Sequence, residues 1–478
     1  MKRIIEILFI VSLIFYSGDI NSQSITWEKI YINPEAQYSN GINSICESDS
    51  GNYFLIGYTL ILSQPTHFKI CVTKINSYGE TLWIKTFGRN GTEGITAVST
   101  GDGGCVISGR GGGAYTIKID RDGNLIWEKY YGGAGVRSMK IIKTTDGGFI
   151  ACGLYDLKDG YIFKIDSSGN FNWHKIDKSN YVKCYFDIIP DYNLGFTTCG
   201  YEIESSQDTA HAVVINVNES GTIFWEKKIY LNDQNTAYCI EKFQNGYIIA
   251  GSIGNVPITT GKVYFLKMDV AGNHNNPVIL KNTATEYFGD FKVINENKFV
   301  FISSKDSVNT VMPGKSVITD SSGNVLNQRI FPTSDFIDFK SILLLKNGDF
   351  IFTGTAGFYI PGSDQVGYAV RTDSLLNYKT IGIEENNSVI PENFKLYQNY
   401  PNPFNPATTI SFSLPQASYV KLKVFDAAGR EIKELINEYR QRGNYEVKFD
   451  GSNLPSGIYF YRLAADDFTA VRRMILLK

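Results

Sequence analysis

The sequence predicts an all-β protein, a seven-bladed β-propeller followed by a small immunoglobulin-like β-sandwich, and three observations carry that expectation. A four-strand pattern recurs through most of the 478 residues, which is the signature of a repeat architecture. The composition, with 30 Tyr, 30 Phe and 45 Gly, favours short strands joined by tight turns over helices. The five tryptophans keep step with the repeat. The formal net charge of −2 gives no drive toward a polyanion, and no Lys/Arg block suited to a nucleic-acid groove interrupts the chain, so nucleic acid is not an expected partner.

Residues 1–23 read as a signal peptide. Lys2 and Arg3 precede an apolar run from Ile7 to Tyr16, and small and polar residues follow up to Gln23. That order belongs to a secretory signal and is too short to span a membrane after release. No later run is long and apolar enough for a transmembrane helix in the mature chain.

Residues 24–380 are assigned to the propeller. One copy of the repeat reads DGGFIACG from Asp146 and then YIFKIDSSGNFNWHK from Tyr161; the copy before it carries GDGGCVISG from Gly101 and YTIKIDRDGNLIWEK from Tyr115. Seven copies follow one another at a period of about 44 to 52 residues, the range of four-stranded propeller blades. Within each copy, an alternating strand comes first, then an aromatic-led strand ending in a small residue and Gly, then a strand ending in Lys-Ile-Asp, then Trp-x-Lys. Between the last two strands, Asn76, Asp120, Asp166, Asn218, Asp269 or Asp320 stands three residues before a Gly. A side-chain oxygen can cap such a turn while Gly takes positive φ. Asp120-Arg121-Asp122-Gly123-Asn124 resembles a fragment of a calcium loop, but a calcium site needs six or more converging oxygens, so the turn is read as structural and no metal is assigned.

Trp83, Trp127, Trp173 and Trp225 each lie four residues after the turn Gly and two before a Lys. Trp27 begins the same pattern with no blade before it, while the seventh copy stops after its third strand near Asn377. The N-terminal strand is therefore expected to close the last blade by pairing near Tyr368 to Thr372, which removes a raw sheet edge. All five tryptophans are expected in the core.

Residues 381–393 are polar, Asn/Glu-rich and broken by Pro391, which marks a linker. Residues 394–478 form a separate unit. Alternating runs from Thr408 to Leu414, Tyr419 to Asp426, Glu431 to Ile436, Tyr445 to Asp450, Ile458 to Ala464 and Ala470 to Leu477, divided by Gly-containing turns, predict a small antiparallel sandwich. Its motifs are FKLYQNYPNPFNPATTISFSLP, VKLKVFDAAGREIKEL, LPSGIYFYRL and the terminal RRMILLK. In these this unit resembles the C-terminal sorting domain of type IX (Por) secretion cargo in the Bacteroidetes and their relatives. The residues carrying the resemblance are Asn399, Tyr400, Pro401, Asn402, Pro403, Phe404, Asn405 and Pro406, then Pro455, Gly457, Tyr459 and Lys478. The resemblance implies export in two steps, with the tail engaging the type IX secretion machinery and the protein reaching the medium or the outer-membrane surface by way of the periplasm. Arg472-Arg473 stands where the family commonly has lysine, and release versus surface attachment stays open.

The propeller shows no catalytic constellation. The four histidines, His67, His174, His211 and His274, fall in different copies, and no zinc-protease, nucleophile-elbow or phosphate-loop motif occurs. Arg110-Gly111-Gly112-Gly113 joins two strands with no helix behind it, so it reads as a hairpin loop. The seven cysteines include no Cys-x-x-Cys, and Cys152 and Cys199 occupy the buried position before the repeat Gly, as free core thiols would. No catalytic, cofactor or metal residue is assigned. The expected payload is a non-catalytic module binding a glycan or a protein; the alternative is a secreted carbohydrate-active hydrolase or lyase using scattered propeller carboxylates.

Overall fold

A computed structural model describes residues 25–477 apart from 34–38, 50, 62–66, 193–194, 204–209, 232, 255–260, 281–285, 306–311, 332–335, 358–364, 379–393, 400, 417, 441–442 and 467. The signal segment 1–23, the linker 381–393, Tyr400 and Lys478 lie outside the described residues. Every regular element among the described residues is a strand. The chain opens with β1 (Trp27–Tyr31). Six sequential four-stranded sheets follow: β2–β5 (Ser39–Glu47, Tyr53–Ile61, His67–Ile75, Thr81–Phe87), β6–β9 (Glu93–Ser99, Cys105–Arg110, Ala114–Ile119, Leu125–Tyr131) and β10–β13 (Arg137–Lys143, Phe149–Tyr155, Asp159–Ile165, Phe171–Asp177) come first. After them come β14–β17 (Val182–Pro190, Gly195–Ile203, Ala210–Asn218, Ile223–Ile229), β18–β21 (Asn235–Phe243, Gly246–Ile253, Lys262–Asp269, Val278–Ile279) and β22–β25 (Glu286–Asn295, Lys298–Lys305, Gly314–Asp320, Val325–Phe331).

The strands β26–β28 (Phe336–Leu344, Phe350–Gly357, Val366–Thr372) form one more sheet, whose fourth strand is β1. Trp27 lies opposite Arg371 and Tyr31 opposite Gly367. The second and third strands of these sheets are buried almost throughout, as in β11 and β12, because the sheets pack face to face. That double burial is why they read as continuous apolar runs. Hydrophobic clusters fill the intervals: Ile150, Cys152 and Ile162 meet Tyr185, Phe196 and Val213 of the next sheet. Another cluster joins Trp27, Leu345 and Ile351 of the last sheet to Ile42, Leu55 and Ile75 of the first.

The last and first sheets are also tied by polar groups. Tyr31 donates from its hydroxyl to the Gly79 carbonyl at 2.9 Å, and Arg371 donates to the Ser77 carbonyl at 3.2 Å. Arg371 is itself buried in an ion pair with Asp349 at 3.0 Å. Within the last sheet, Tyr368 donates to the buried Glu28 carboxylate of β1 at 2.5 Å. The architecture is a β-propeller.

The C-terminal unit contains β29 (Lys395–Leu396), β30 (Ala407–Leu414), β31 (Ser418–Asp426), β32 (Glu431–Arg440), β33 (Gly443–Asp450), β34 (Gly457–Ala465) and β35 (Phe468–Leu476). Strands β29-β30-β33 make one sheet and β32-β31-β34-β35 the other. Their inner faces share a core that includes Ile410, Phe412, Leu422, Val424, Tyr461 and Met474. The alternation in the sequence is the alternation of these inner and outer faces.

Candidate functional site

The tail motif folds as a brace on the C-terminal strand. Asn399 is buried, its backbone N–H donates to the Tyr461 hydroxyl at 2.8 Å, and its side chain donates to Thr408 Oγ1 at 2.9 Å and to the Pro401 carbonyl at 3.1 Å. Asn402 Oδ1 accepts the Ile475 N–H at 2.9 Å. Phe404 is buried against Phe449, and its backbone exchanges bonds with Ile475 and Leu477. Pro401, Pro403, Asn405 and Pro406 remain exposed on the outer side of this brace. Tyr459 buries its ring and donates to the carbonyl of the exposed Pro455 at 2.8 Å, which fixes the turn before Gly457. The structure thus joins Asn402 and Phe404 to the end of β35 and Asn399 to β30 and β34, while Pro455, Gly457 and Tyr459 shape the start of β34.

The tryptophans sit differently from the expectation. Trp27 is buried, but Trp83, Trp127, Trp173 and Trp225 are half-buried, because each lies on an outer strand and reaches over the turn of the next sheet. A Cβ at Gly79 would come within 2.7 Å of the Trp27 ring, one at Gly123 within 2.7 Å of Trp83, and one at Gly169 within 3.0 Å of Trp127. Trp27 and Trp173 also donate from Nε1 to the turn carbonyls of Ser77 and Glu219. The repeated Trp and the repeated turn Gly are therefore two halves of one contact between neighbours. Between the sixth and seventh sheets both halves change: Asn327 stands in the Trp position and donates to the Leu375 carbonyl, and Leu376 stands in the Gly position at φ 63°. Between the fifth and sixth the turn Gly323 is kept at φ 83° and faces Val278 instead of a Trp. In the turns themselves, Asp120 accepts the N–H groups of Asp122 and Asn124 and the Asn124 amide, so its oxygens serve the turn.

A third feature leaves no mark in the repeat pattern. Each first strand carries a register break, and the extra residues are Asn43, Ile95, Met139, Phe186, Tyr238, Gly289 and Lys340. All seven line one cavity of about 550 Å³. The bulges turn these residues out of the ladder, and their common destination identifies the first strands as the inner ones around an axial cavity. The small-Gly signature is the other side of the same geometry. A Cβ at Gly153 or Gly200 would overlap the carbonyl oxygen of Arg137 or Cys184 beside the bulge.

One wall of the cavity is aromatic. Phe186 lies 5.0 Å from Tyr238, Tyr238 stacks on Phe288 at 5.5 Å and 13°, and Tyr201 stacks on Phe186 at 5.7 Å and 26°. The opposite rim is polar. Glu93 pairs with Arg110 at 2.6 Å and accepts from Asn43 at 3.1 Å, while Asp338 pairs with Lys340 at 2.6 Å. Just past the bulges, Asp187 and Asp290 accept the N–H groups of Ile240 and Ile342 on the neighbouring inner strands, at 3.1 and 2.8 Å. They also face Lys140 and Lys292, each at 3.6 Å, and the Asp187 carboxylate holds the Lys140 ammonium above its ordinary pKa.

None of the four histidines lines this cavity. All seven cysteines are buried thiols rather than disulfides; burial pushes the Cys184 thiol up to about 12, which leaves it too little thiolate at neutral pH for nucleophilic work. The two carboxylates at the cavity, Glu93 and Asp338, both have cationic partners.

With this geometry the chain is a β-propeller protein that carries a secretion tail. Residues 398–477 match the family of the secretion system C-terminal sorting domain, the tail of type IX (Por) cargo, and this marks the chain as a protein that the type IX machinery delivers to the surface or the medium. No curated protein matched the chain. Among solved structures, a protein of unknown function from Bacteroides caccae is similar at 13% identity and TM-score 0.38, covering 54% of this chain and 89% of its own. PorZ, a surface component of the type IX secretion system of Porphyromonas gingivalis, is similar at 10% identity and TM-score 0.31, over 94% of this chain and 86% of its own. The β-propeller domain of the trilobed protease from Pyrococcus furiosus is similar at 11% identity and TM-score 0.41, over 73% and 98%. Among the described residues no helix is long and apolar enough to cross a membrane.

Proposed function

We propose that residues 24–380 form a seven-bladed propeller closed by β1, and that residues 394–478 form an immunoglobulin-like sorting sandwich. In this reading the propeller is a non-catalytic binding module whose ligand, a glycan or a protein, enters the axial cavity. The observation that carries the binding role is the cavity itself, where seven inner strands each contribute a bulged residue to one space with an aromatic wall and a polar rim. Such a mixed concave surface suits ligand capture. The ion pairing of Glu93 and Asp338 favours binding over carboxylate catalysis.

Two experiments test this. Deleting from Phe394 onward should leave a folded propeller in the periplasm, and fusing 394–478 to an exported reporter should carry the reporter to the surface or medium of a host with the type IX machine; surface delivery of the truncated protein would overturn the sorting role. A panel of glycans and peptides screened against the mature chain should contain a ligand whose binding is abolished by the Phe186→Ala/Tyr238→Ala double substitution. If every bound ligand survives that substitution, the cavity is not the site.

A further inference from the structure

The axial cavity does not end at the ring of bulges. It adjoins a second cleft of about 370 Å³, and the two share Glu93, Arg110 and Arg137. The cleft is bordered by Gly91, Gly111, Gly112, Gly113 and Gly135. A Cβ at Gly91 or Gly112 would meet nothing within 4 Å, so the glycines keep an open trough leading away from the axis. An elongated ligand is accommodated better than a compact one.

The surfaces it would meet differ in character. On one side Phe186 and Tyr238 line the cavity as the middle of a run of packed rings that continues to Tyr201 and Phe288, a flat apolar wall rather than a side-chain pocket. Across from them are amide groups with capacity left among the described residues. Gln365 Oε1 accepts from Tyr58 at 2.8 Å, leaving its NH₂, and Asn43 Nδ2 donates to Glu93 and to the Gly94 carbonyl, leaving its oxygen. A flat apolar wall opposed by planar hydrogen-bonding groups matches a pyranose, with its C–H face and its equatorial hydroxyls.

The charges add a second requirement. Arg110 is neutralised by Glu93, and Lys340 by Asp338. Arg137, half-buried at the junction of the two spaces, has no ion pair with any described residue. A guanidinium in that position selects a planar or tetrahedral oxyanion. We propose that the axial cavity and its glycine-lined extension bind an oligosaccharide carrying acidic sugars, with sugar faces on the Phe186–Tyr238 wall and a carboxylate or sulfate on Arg137. This rests on the binding reading above and deepens it.

The test uses the mature full chain in calorimetric titrations with four probes: tetragalacturonate, a heparin-derived tetrasaccharide, maltotetraose and a Glu-rich peptide. At least one acidic saccharide should bind more tightly than maltotetraose, and that preference should shrink as salt rises. Arg137→Met should weaken it about tenfold or more, and Arg137→Lys less, with both variants retaining the wild-type circular dichroism. Heparin carries carboxylates as well as sulfates, so binding of the heparin fragment without tetragalacturonate assigns the anion to sulfate, and binding of tetragalacturonate assigns it to carboxylate. Equal binding of neutral and acidic sugars, an unchanged affinity in Arg137→Met, binding of the peptide alone, or no saccharide binding would overturn the inference. If maltotetraose or the peptide binds and is lost in Phe186→Ala/Tyr238→Ala, the binding reading survives without the acidic ligand; if nothing responds to that double substitution, both fall.

Discussion

Single residues set the fit between neighbouring sheets, and the Trp–Gly clasp allows a sharp comparison. Gly169 sits at φ 77° with its missing Cβ 3.0 Å from Trp127, whereas Gly147 sits at φ 83° with open space around it. Both Gly→Ala changes carry the backbone strain of about 1 kcal/mol, but only Gly169→Ala also displaces a ring. It should lose about 1 to 3 kcal/mol more in urea unfolding, and equal losses would show that the clasp contributes nothing. A second residue-scale prediction concerns acid. Hydrogen bonds from Lys164 and then Thr144 lower the Asp146 carboxyl to about 2 from its ordinary 3.8. Since the folded value lies below the unfolded one, this stabilisation is present above about pH 4 and is lost as pH falls toward 2. Asp146→Asn should therefore flatten that part of the stability profile measured by denaturant titration, and an unchanged acid limb would contradict it. The sequence revealed the Trp and Gly positions because both recur at fixed offsets. It concealed that they touch across two copies, because spacing within a repeat carries no information about which neighbour faces it.

At the level of strands, the bulges explain what the repeat Gly is for. The sequence marks the position before it as buried but gives no reason for the Gly itself, which lies in an extra residue on the partner strand that period-two alternation hides. Gly200→Ala would place a methyl on the Cys184 carbonyl and should cost about 3 kcal/mol or more, or prevent folding, to be read from soluble yield and thermal melting. The sixth sheet is the natural control: Ser303 occupies the Gly position there, its hydroxyl donates to Glu286 at 2.6 Å, and the bulged residue is itself a glycine, Gly289. Ser303→Gly should thus be mild by comparison. In the tail, the strand runs were legible from alternation because one face of each strand is solvated. The brace formed by Asn399, Asn402 and Phe404 was not, since it joins positions about seventy residues apart through backbone groups. Asn399→Ala removes the bonds to Thr408 and Pro401 and should destabilise the isolated tail by about 1 to 3 kcal/mol.

At the scale of the whole molecule, the seam between β1 and β28 carries the most consequence. A chain lacking residues 25–33 should expose the edge of β28 and the buried Arg371–Asp349 pair, melting earlier and associating through the open edge; a monomer with unchanged melting would refute that role. The seam also fixes an order of events. Glu28 and Tyr368 are separated by 340 positions, so β1 must wait, unpaired, until the last strand of the propeller has been made. Until then every growing arc has two raw ends, and no partial chain can reach the closed state however long it is given. Long-range pairing of this kind is slow because loop closure precedes its reward. The sorting tail is synthesised only after β28, so the address becomes legible at about the moment when the cargo can first shut. A chain cut short in translation would lack both, and would remain behind as an open arc for the proteases.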